Sequence, residues 1–133
     1  MAHSDTASRP LVVCLVPARN AERDLPGSLS SVRRFADAVV ALDDGSMDRT
    51  GELLRPDPLV TEVLSNPPRP SSAGWDDAEN RGRLLEAAGE LRPRWIVFLD
   101  ADERIDAADA HALRRFLDTD ALSDARTASS TSG

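Results

Sequence analysis

The sequence predicts an α/β fold in which a parallel sheet carries flanking helices. Short apolar runs alternate with segments of helical period, in the order βαβαβαβα, and that alternation calls for right-handed crossovers with helices on both sheet faces. The first run, Leu11 to Val16, is continuously apolar and valine-rich, the pattern of a strand buried on both sides. The chain has 133 residues, 41% hydrophobic and 29% charged, which is one globular domain, neither disordered nor fibrous.

The elements follow in order. Residues 1–10 are polar and read as a disordered tail, residues 11–120 as the domain, and residues 121–133 as a second disordered tail of Ser, Thr, Ala and Gly. Pro17 ends the first strand. From Asp24 to Ala36, Leu25, Leu29, Val32 and Phe35 recur at helical spacing, with Asp24 at the N-cap position and Pro26 in the first turn. Ala38 to Leu42 is the second strand, stopped by Asp43-Asp44-Gly45-Ser46. Ser46 or Asp48 opens a short helix through Leu54, which Pro56-Asp57-Pro58 breaks. Leu59 to Leu64 is a third strand, weakened by Glu62. A Pro- and Ser-rich loop from Asn66 to Gly74 is long enough to suggest a functional role. Asp76 to Leu91 reads as a helix with Ala78, Leu84, Leu85 and Ala88 inward. Trp95 to Leu99 is the fourth strand, and Asp106 caps a last helix through about Leu117, with Ala110, Leu113 and Leu117 on one face.

Composition excludes several classes. All 16 basic residues are arginine, so there is no Walker A lysine and no Schiff-base lysine. The net charge of −7 and the lack of a basic stripe argue against nucleic-acid binding through phosphates. No apolar run approaches the roughly 18 residues of a membrane span, and the polar N-terminus lacks a signal-peptide core. The single cysteine, Cys14, reads as a small core residue and agrees with a reducing compartment. A cytoplasmic protein is the expectation.

Three polar motifs follow strands: Pro17-Ala18-Arg19-Asn20 after the first, Asp43-Asp44-Gly45-Ser46 after the second, Asp100-Ala101-Asp102-Glu103 after the fourth. Open α/β sheets bind ligands outside the carboxyl ends of their strands, so three motifs at three neighbouring ends describe one site. Asp100 and Asp102, two residues apart after an apolar strand, suit a hard cation such as Mg²⁺ or Mn²⁺ shared with substrate phosphates. The alternative is that Asp102 or Glu103 merely opens the next loop. Asp43 to Ser46 likewise fits ordinary turn chemistry.

Taken together, VVCLVPARN (12–20), VVALDDGSMDRT (39–50) and WIVFLDADERI (95–105) resemble the ordered motifs of family 2 glycosyltransferases. The resemblance runs from about Leu11 to Leu117. It implies the GT-A (Rossmann-like) nucleotide-diphospho-sugar-binding half-domain, strand order 3-2-1-4, with the crevice between the first and fourth strands. By position it implies that Pro17, Ala18 and Arg19 line the base pocket, that Asp44 accepts from a uracil-type ring and that Asp43 supports the turn. Asp100 would contact the ribose or reach the metal through water, and Asp102 would ligate a Mn²⁺ or Mg²⁺ bridging the diphosphate. Glu22 stands where the family often has an acidic residue near the site. Where relatives carry Ala-Arg-Asn before the fourth strand, this chain has Ala78-Glu79-Asn80, so Arg81 or Arg83 would replace that arginine. The implied partner is a nucleotide-diphospho-sugar, a UDP-sugar favoured.

The catalytic base in this family lies well downstream of the D-x-D motif, so the chain is expected to be a truncated domain without glycosyl transfer of its own. His111, within the last predicted helix, reads as a surface residue. The rival reading is a catalytically inert binding or assembly protein of the same fold. A phosphotransferase is disfavoured because those D-x-D or receiver-type sites need a lysine. In the order 3-2-1-4 the fourth strand is an apolar edge, so a second copy or a partner chain is expected to cover it.

Overall fold

The computed structural model describes residues 10–70, 76–120 and 126–129. Its strands are β1 (Val12–Ala18), β2 (Ala38–Asp44), β3 (Val60–Asn66), β4 (Trp95–Phe98) and β5 (Arg126–Ser129). Its helices are α1 (Leu25–Val32), α2 (Thr50–Leu54), α3 (Asp77–Gly89) and α4 (Ala107–Asp120). The strands form one sheet in the order β3-β2-β1-β4-β5, and every pairing is parallel.

The continuous apolar run of β1 has a direct structural cause. Val12, Cys14 and Val16 point to one face, packed with Leu25, Leu29, Val32 and Phe35 of the α1 region, Leu54 of α2, and Ala110 and Leu117 of α4. Val13 and Leu15 point to the other, with Leu84, Ala87 and Ala88 of α3. Cys14 is buried, and that burial pushes its thiol far above the ordinary value. A buried hydrogen bond from Trp95 Nε1 to the Leu117 carbonyl (3.1 Å) fixes α4 against β4.

Several sequence expectations shift. Helix α1 stops at Val32, and the chain continues to Ala36 through tight turns that still bury Phe35. Asp24 precedes α1 without bonding its free amides, because its own backbone is already helical. Asp76 does cap α3, accepting from Glu79 N (2.9 Å), and Asp106 accepts from Asp109 N (2.8 Å) before α4. On α3 the buried face is Asn80, Leu84, Ala87 and Ala88, whereas Ala78 and Leu85 are exposed. The inward stripe runs i, i+4, i+7, i+8 from Asn80, so a polar residue opens it. The third strand is shifted toward Asn66, and its outer position leaves Thr61, Glu62 and Ser65 exposed.

The largest correction concerns β4. It is not an edge: β5 pairs with it in parallel from Trp95↔Arg126 to Phe98↔Ser129. The disorder expected over 121–133 therefore does not hold at 126–129, because an apolar strand with a free ladder recruits backbone whatever the side-chain pattern. The argument for a partner chain at that edge falls with it. The other tail residues and Trp75 lie outside the described residues.

Asp37 ties the two ends of this fold together. Its Oδ2 accepts from Leu11 N (3.0 Å) and Val12 N (2.9 Å), while Oδ1 accepts from Arg114 Nη1 of α4 (3.0 Å). Asp37→Ala should lower the unfolding free energy by about 1–3 kcal/mol, the range for leaving a partly buried donor unpaired. Urea denaturation checks this, and an unchanged midpoint refutes it.

Candidate functional site

All strands being parallel, their carboxyl ends open on one side of the sheet; the chain leaves β1 toward β2 and β3 on one side, then crosses back through α3 to β4 on the other side of β1. That reversal creates a crevice above β1 and β4. Pro17, Ala18, Arg19, Asn20, Asp24, Asp77, Asp100 and Asp102 line a cleft of about 350 Å³ there. A second cleft of about 340 Å³ lies at the ends of β2 and β3, lined by Asp44, Asn66, Pro67, Pro68, Arg69, Asp76, Glu79 and Asn80. Arg19 links the two, since its Nη2 donates to the Arg69 carbonyl (3.2 Å).

The loops that build the first cleft are laced together. Asn20 adopts φ 48°. Its amide donates to Ser46 Oγ (2.9 Å), and its Oδ1 accepts from Met47 N (2.7 Å). Ala21 N donates to Thr50 Oγ1 (2.8 Å), which donates to Asp48 Oδ1 (2.6 Å). Asp48 and Thr50 of the second motif are thus joints between loops. On the other side, Glu103 Oε1 accepts from Asp100 N (2.8 Å), and Ser31 Oγ of α1 both donates to Ile105 O and accepts from Ile105 N.

The clefts differ in charge. In the first, partial burial and then the charges of Glu103, Asp102 and Asp77 push the Asp100 carboxyl above its ordinary value, with Arg81 opposing. Among the described residues no group of three or more His, Cys, Asp or Glu is placed to hold a metal ion by itself. The two carboxylates Asp100 and Asp102 nevertheless fit a hard divalent cation whose remaining ligands come from phosphate and water.

In the second cleft the charge of Asp44 is neutralised, while Asp76 and Glu79 stand exposed at its rim. Asp44 is 1% exposed and accepts from Arg69 Nη1 (2.9 Å) and Nη2 (2.8 Å), and also from Asn66 Nδ2. The Arg69 fork holds this carboxyl below the ordinary range against the opposing effect of burial, and the Asn66 amide adds to it. Asn66 Oδ1 accepts in turn from Arg83 Nη1 (2.6 Å). Gly45 makes the approach possible. It has φ 70°, its carbonyl accepts from Arg69 N (3.1 Å), and a Cβ there would lie 2.8 Å from the Pro67 carbonyl.

Among the residues singled out in the sequence, Pro17, Ala18, Arg19, Asp100 and Asp102 come together, with Asp44 in the adjoining cleft. Asp43 faces its own turn, accepting from Ser46 N (3.2 Å). Glu22 is not in either cleft, because its carboxylate accepts from Arg49 N (3.2 Å) before α2. Arg81 stacks over the Phe98 ring at 4.1 Å, and Arg83 acts on Asn66. His111 is exposed on α4. Sequence reasoning missed Asn66 and Arg69. The signal was an Asn in parallel register with Asp44, followed three residues later by the loop's one arginine.

This parallel sheet, with β1 to β4 in the order 3-2-1-4 and helices on its faces, defines an α/β domain of the GT-A arrangement. Residues 13–130 match the family described as Glycosyl transferase family 2, and the chain belongs to that family. Two uncharacterised mycobacterial proteins, from Mycobacterium bovis and Mycobacterium tuberculosis, are each 34% identical over 93 residues, 68% of this chain. The match covers 23% of their length, so the chain spans about a quarter of these curated relatives. The crystal structure of S. aureus TarS 1-349 shares the fold at TM-score 0.61 and 24% identity, over 81% of this chain and 32% of that one.

The Asp44–Arg69 pair sets an expected acid response. A carboxyl depressed in the folded state stabilises the fold fully above its unfolded value, about 4. That contribution is lost as pH falls through the lower folded value. Urea midpoints at pH 7 and pH 3 should therefore differ less for Asp44→Asn than for the parent. Asp57, depressed chiefly by its hydrogen bond from Arg33, and Asp48, depressed against the opposing effect of burial by hydrogen bonds from Thr50, keep acid sensitivity in both. Identical pH dependence in the two chains would remove the pair from the account.

Proposed function

We propose that the chain is the donor-binding part of a glycosyltransferase and holds a nucleotide-diphospho-sugar, a UDP-sugar by preference, for transfer of the sugar to an acceptor hydroxyl. The observation that carries this reading is the pair of adjoining clefts at the strand ends. Asp100 and Asp102 line one, in the other Asp44 is bonded by Arg69 and Asn66, and Arg19 bridges the two. A nucleotide sugar likewise has two parts, a diphosphate that travels with a cation and an uncharged base.

In this reading Asp102, with Asp100, holds Mn²⁺ or Mg²⁺ against the diphosphate. A bound cation supplies Lewis-acid stabilisation of the charge that develops on the leaving diphosphate. The backbone of Pro17 and Ala18 and the Arg19 side chain line the wall between phosphate and base, and Asp44, Asn66, Arg69 and Asn80 surround the base. The clamps at Ser31, Glu103 and Asn20 hold these groups in place before the donor arrives, which is the role binding sites assign to supporting hydrogen bonds. No helix of the described residues is long and apolar enough to cross a membrane. With the buried free Cys14, we assign the reaction to the cytoplasm.

Calorimetry with UDP-, GDP- and dTDP-sugars, with and without Mn²⁺, tests the assignment; binding of none of them overturns it. Asp102→Asn should weaken Mn²⁺-dependent UDP binding by roughly tenfold or more, the scale at which even outer partners of a metal site act. The same variant should leave uridine binding unchanged. Undiminished Mn²⁺ dependence in the variant would remove Asp102 from the metal.

A further inference from the structure

Asp102 is exposed, so the backbone of the loop between β4 and α4 decides where its carboxylate stands. That backbone is held in three places. At its start Glu103 N donates to the Asp100 carbonyl (2.9 Å), and Asp100 N donates to Glu103 Oε1 (2.8 Å). At its end Ile105 is gripped by Ser31 Oγ. Between them Arg104 reaches over α1, and its Nη2 donates to the Asp24 carbonyl (3.1 Å) across 80 positions of sequence. The same carbonyl accepts from Ser28 N (3.0 Å), so the arm grips the first turn of α1. Asp24 and Asp102 both line the first cleft, which the arm therefore straps together. Its charge pairing is slight: Asp24 Oδ1 is 3.9 Å from Nη2 and both side chains are half-exposed, a kind of pair that adds little stability. What the arm needs is room. A Cβ at Gly27 would stand 2.4 Å from Arg104 Nε and Nη2 and 2.8 Å from Cζ. Alanine is the better helix former, so the glycine inside α1 gives up helix stability at the place where the guanidinium lies.

We propose that Arg104 is a positioning residue that sets Asp102 for the cation by docking its loop on α1, and that Gly27 is the seat that admits the guanidinium. This rests on the nucleotide reading above. Arg104 stands two residues past Asp102, so a guanidinium fixed on α1 leaves the backbone between them little freedom to swing. The turn it grips follows the Pro17 to Asn20 loop closely, and Ala21 O accepts from both Asp24 N and Leu25 N (3.0 Å each). The arm therefore sets Asp102 relative to the loop that lines the rest of the cleft. A ligand held in place beforehand binds a cation without first being ordered. A methyl group at Gly27 would evict the guanidinium while keeping its charge, because the far end of a flexible side chain is what moves. That substitution separates the position of Arg104 from its charge.

Calorimetry of UDP over a range of Mn²⁺ concentrations, and of uridine without metal, tests this on the parent chain, Gly27→Ala, Arg104→Ala and the double variant, with a urea midpoint for each. Gly27→Ala and Arg104→Ala should each raise the Mn²⁺ concentration that half-saturates UDP binding by about tenfold, the low end for losing an outer partner of a metal site. Uridine binding should not change, and the urea midpoint of Gly27→Ala should equal or exceed the parent's. A merely structural contact would instead lower that midpoint and weaken both ligands. The two substitutions remove one arm, so the double variant should lose no more than either alone. Parent-like Mn²⁺ dependence in Gly27→Ala overturns the proposal, as does a lowered Gly27→Ala midpoint, a further loss in the double variant or an equal loss of uridine affinity. Should Arg104→Ala fail to fold, Gly27→Ala decides alone. If UDP binding to the parent does not depend on Mn²⁺, the reading of the cleft as a cation and diphosphate site fails and this proposal with it. Mn²⁺-dependent binding with the wrong pattern among the variants overturns the Arg104 assignment only.

Discussion

The backbone of β1 is hydrogen-bonded along both edges, to β2 and to β4, while its side chains are buried by helices above and below. A strand in that position has no freedom to slide, since a shift of one residue would exchange the two buried faces. Its carboxyl end is therefore a fixed reference point. Registers carry that reference outward: Ala18 lies opposite Asp43, Asp44 opposite Asn66, and Leu15 opposite Phe98. The clefts are where these registered strands release their chains into loops. The loops in turn are pinned to one another by short polar side chains, Ser46, Asp48 and Thr50 on one side and Ser31 on the other.

From that frame two aspartates of the site, Asp100 and Asp44, acquire opposite electrostatic characters. Asp100 stands at the end of β4, partly buried and with the carboxylates of Glu103, Asp102 and Asp77 nearby, which raises the cost of ionising it. Asp44 stands at the end of β2 with a guanidinium bonded to both its oxygens, so its ionised form is favoured even in burial. The first arrangement is stabilised by adding a cation, the second by leaving it alone. The contrast is built by neighbours, because the residue type at both places is the same.

Much of this was legible in the chain. The strands ending in Pro17-Ala18, Asp43-Asp44 and Leu99-Asp100 announced themselves through apolar runs stopped by polar motifs, and their convergence followed from parallel topology. What was not legible depended on contacts distant in sequence. Arg69 meets Asp44 across 25 positions only because β3 ends in register with β2 and Gly45 admits a close backbone. Glu22, two residues past Asn20, was carried out of the cleft when Arg49 N claimed its carboxylate. Leu85 was counted inward because an apolar residue is ordinarily buried, yet the phase of α3 is set by Asn80 and Leu84, which must pack on β1 and β2. The strand at 126–129 has no apolar alternation to betray it, and its place comes from the ladder that β4 offers.

The arginine-only composition bears on the chemistry in a way that a count alone does not reveal. At Asp44 the bond is a fork, two parallel N–H···O contacts of 2.9 and 2.8 Å, with a third nitrogen held in the same plane. A lysine there would offer one compact charge on a flexible stem. It would neutralise Asp44 but fix no direction for a further donor. The guanidinium does both at once, because its nitrogens share a rigid plane and gripping two of them orients the third. Neutralisation of Asp44 and orientation of the guanidinium are therefore one interaction, and a substitution that preserves charge but loses the plane separates them.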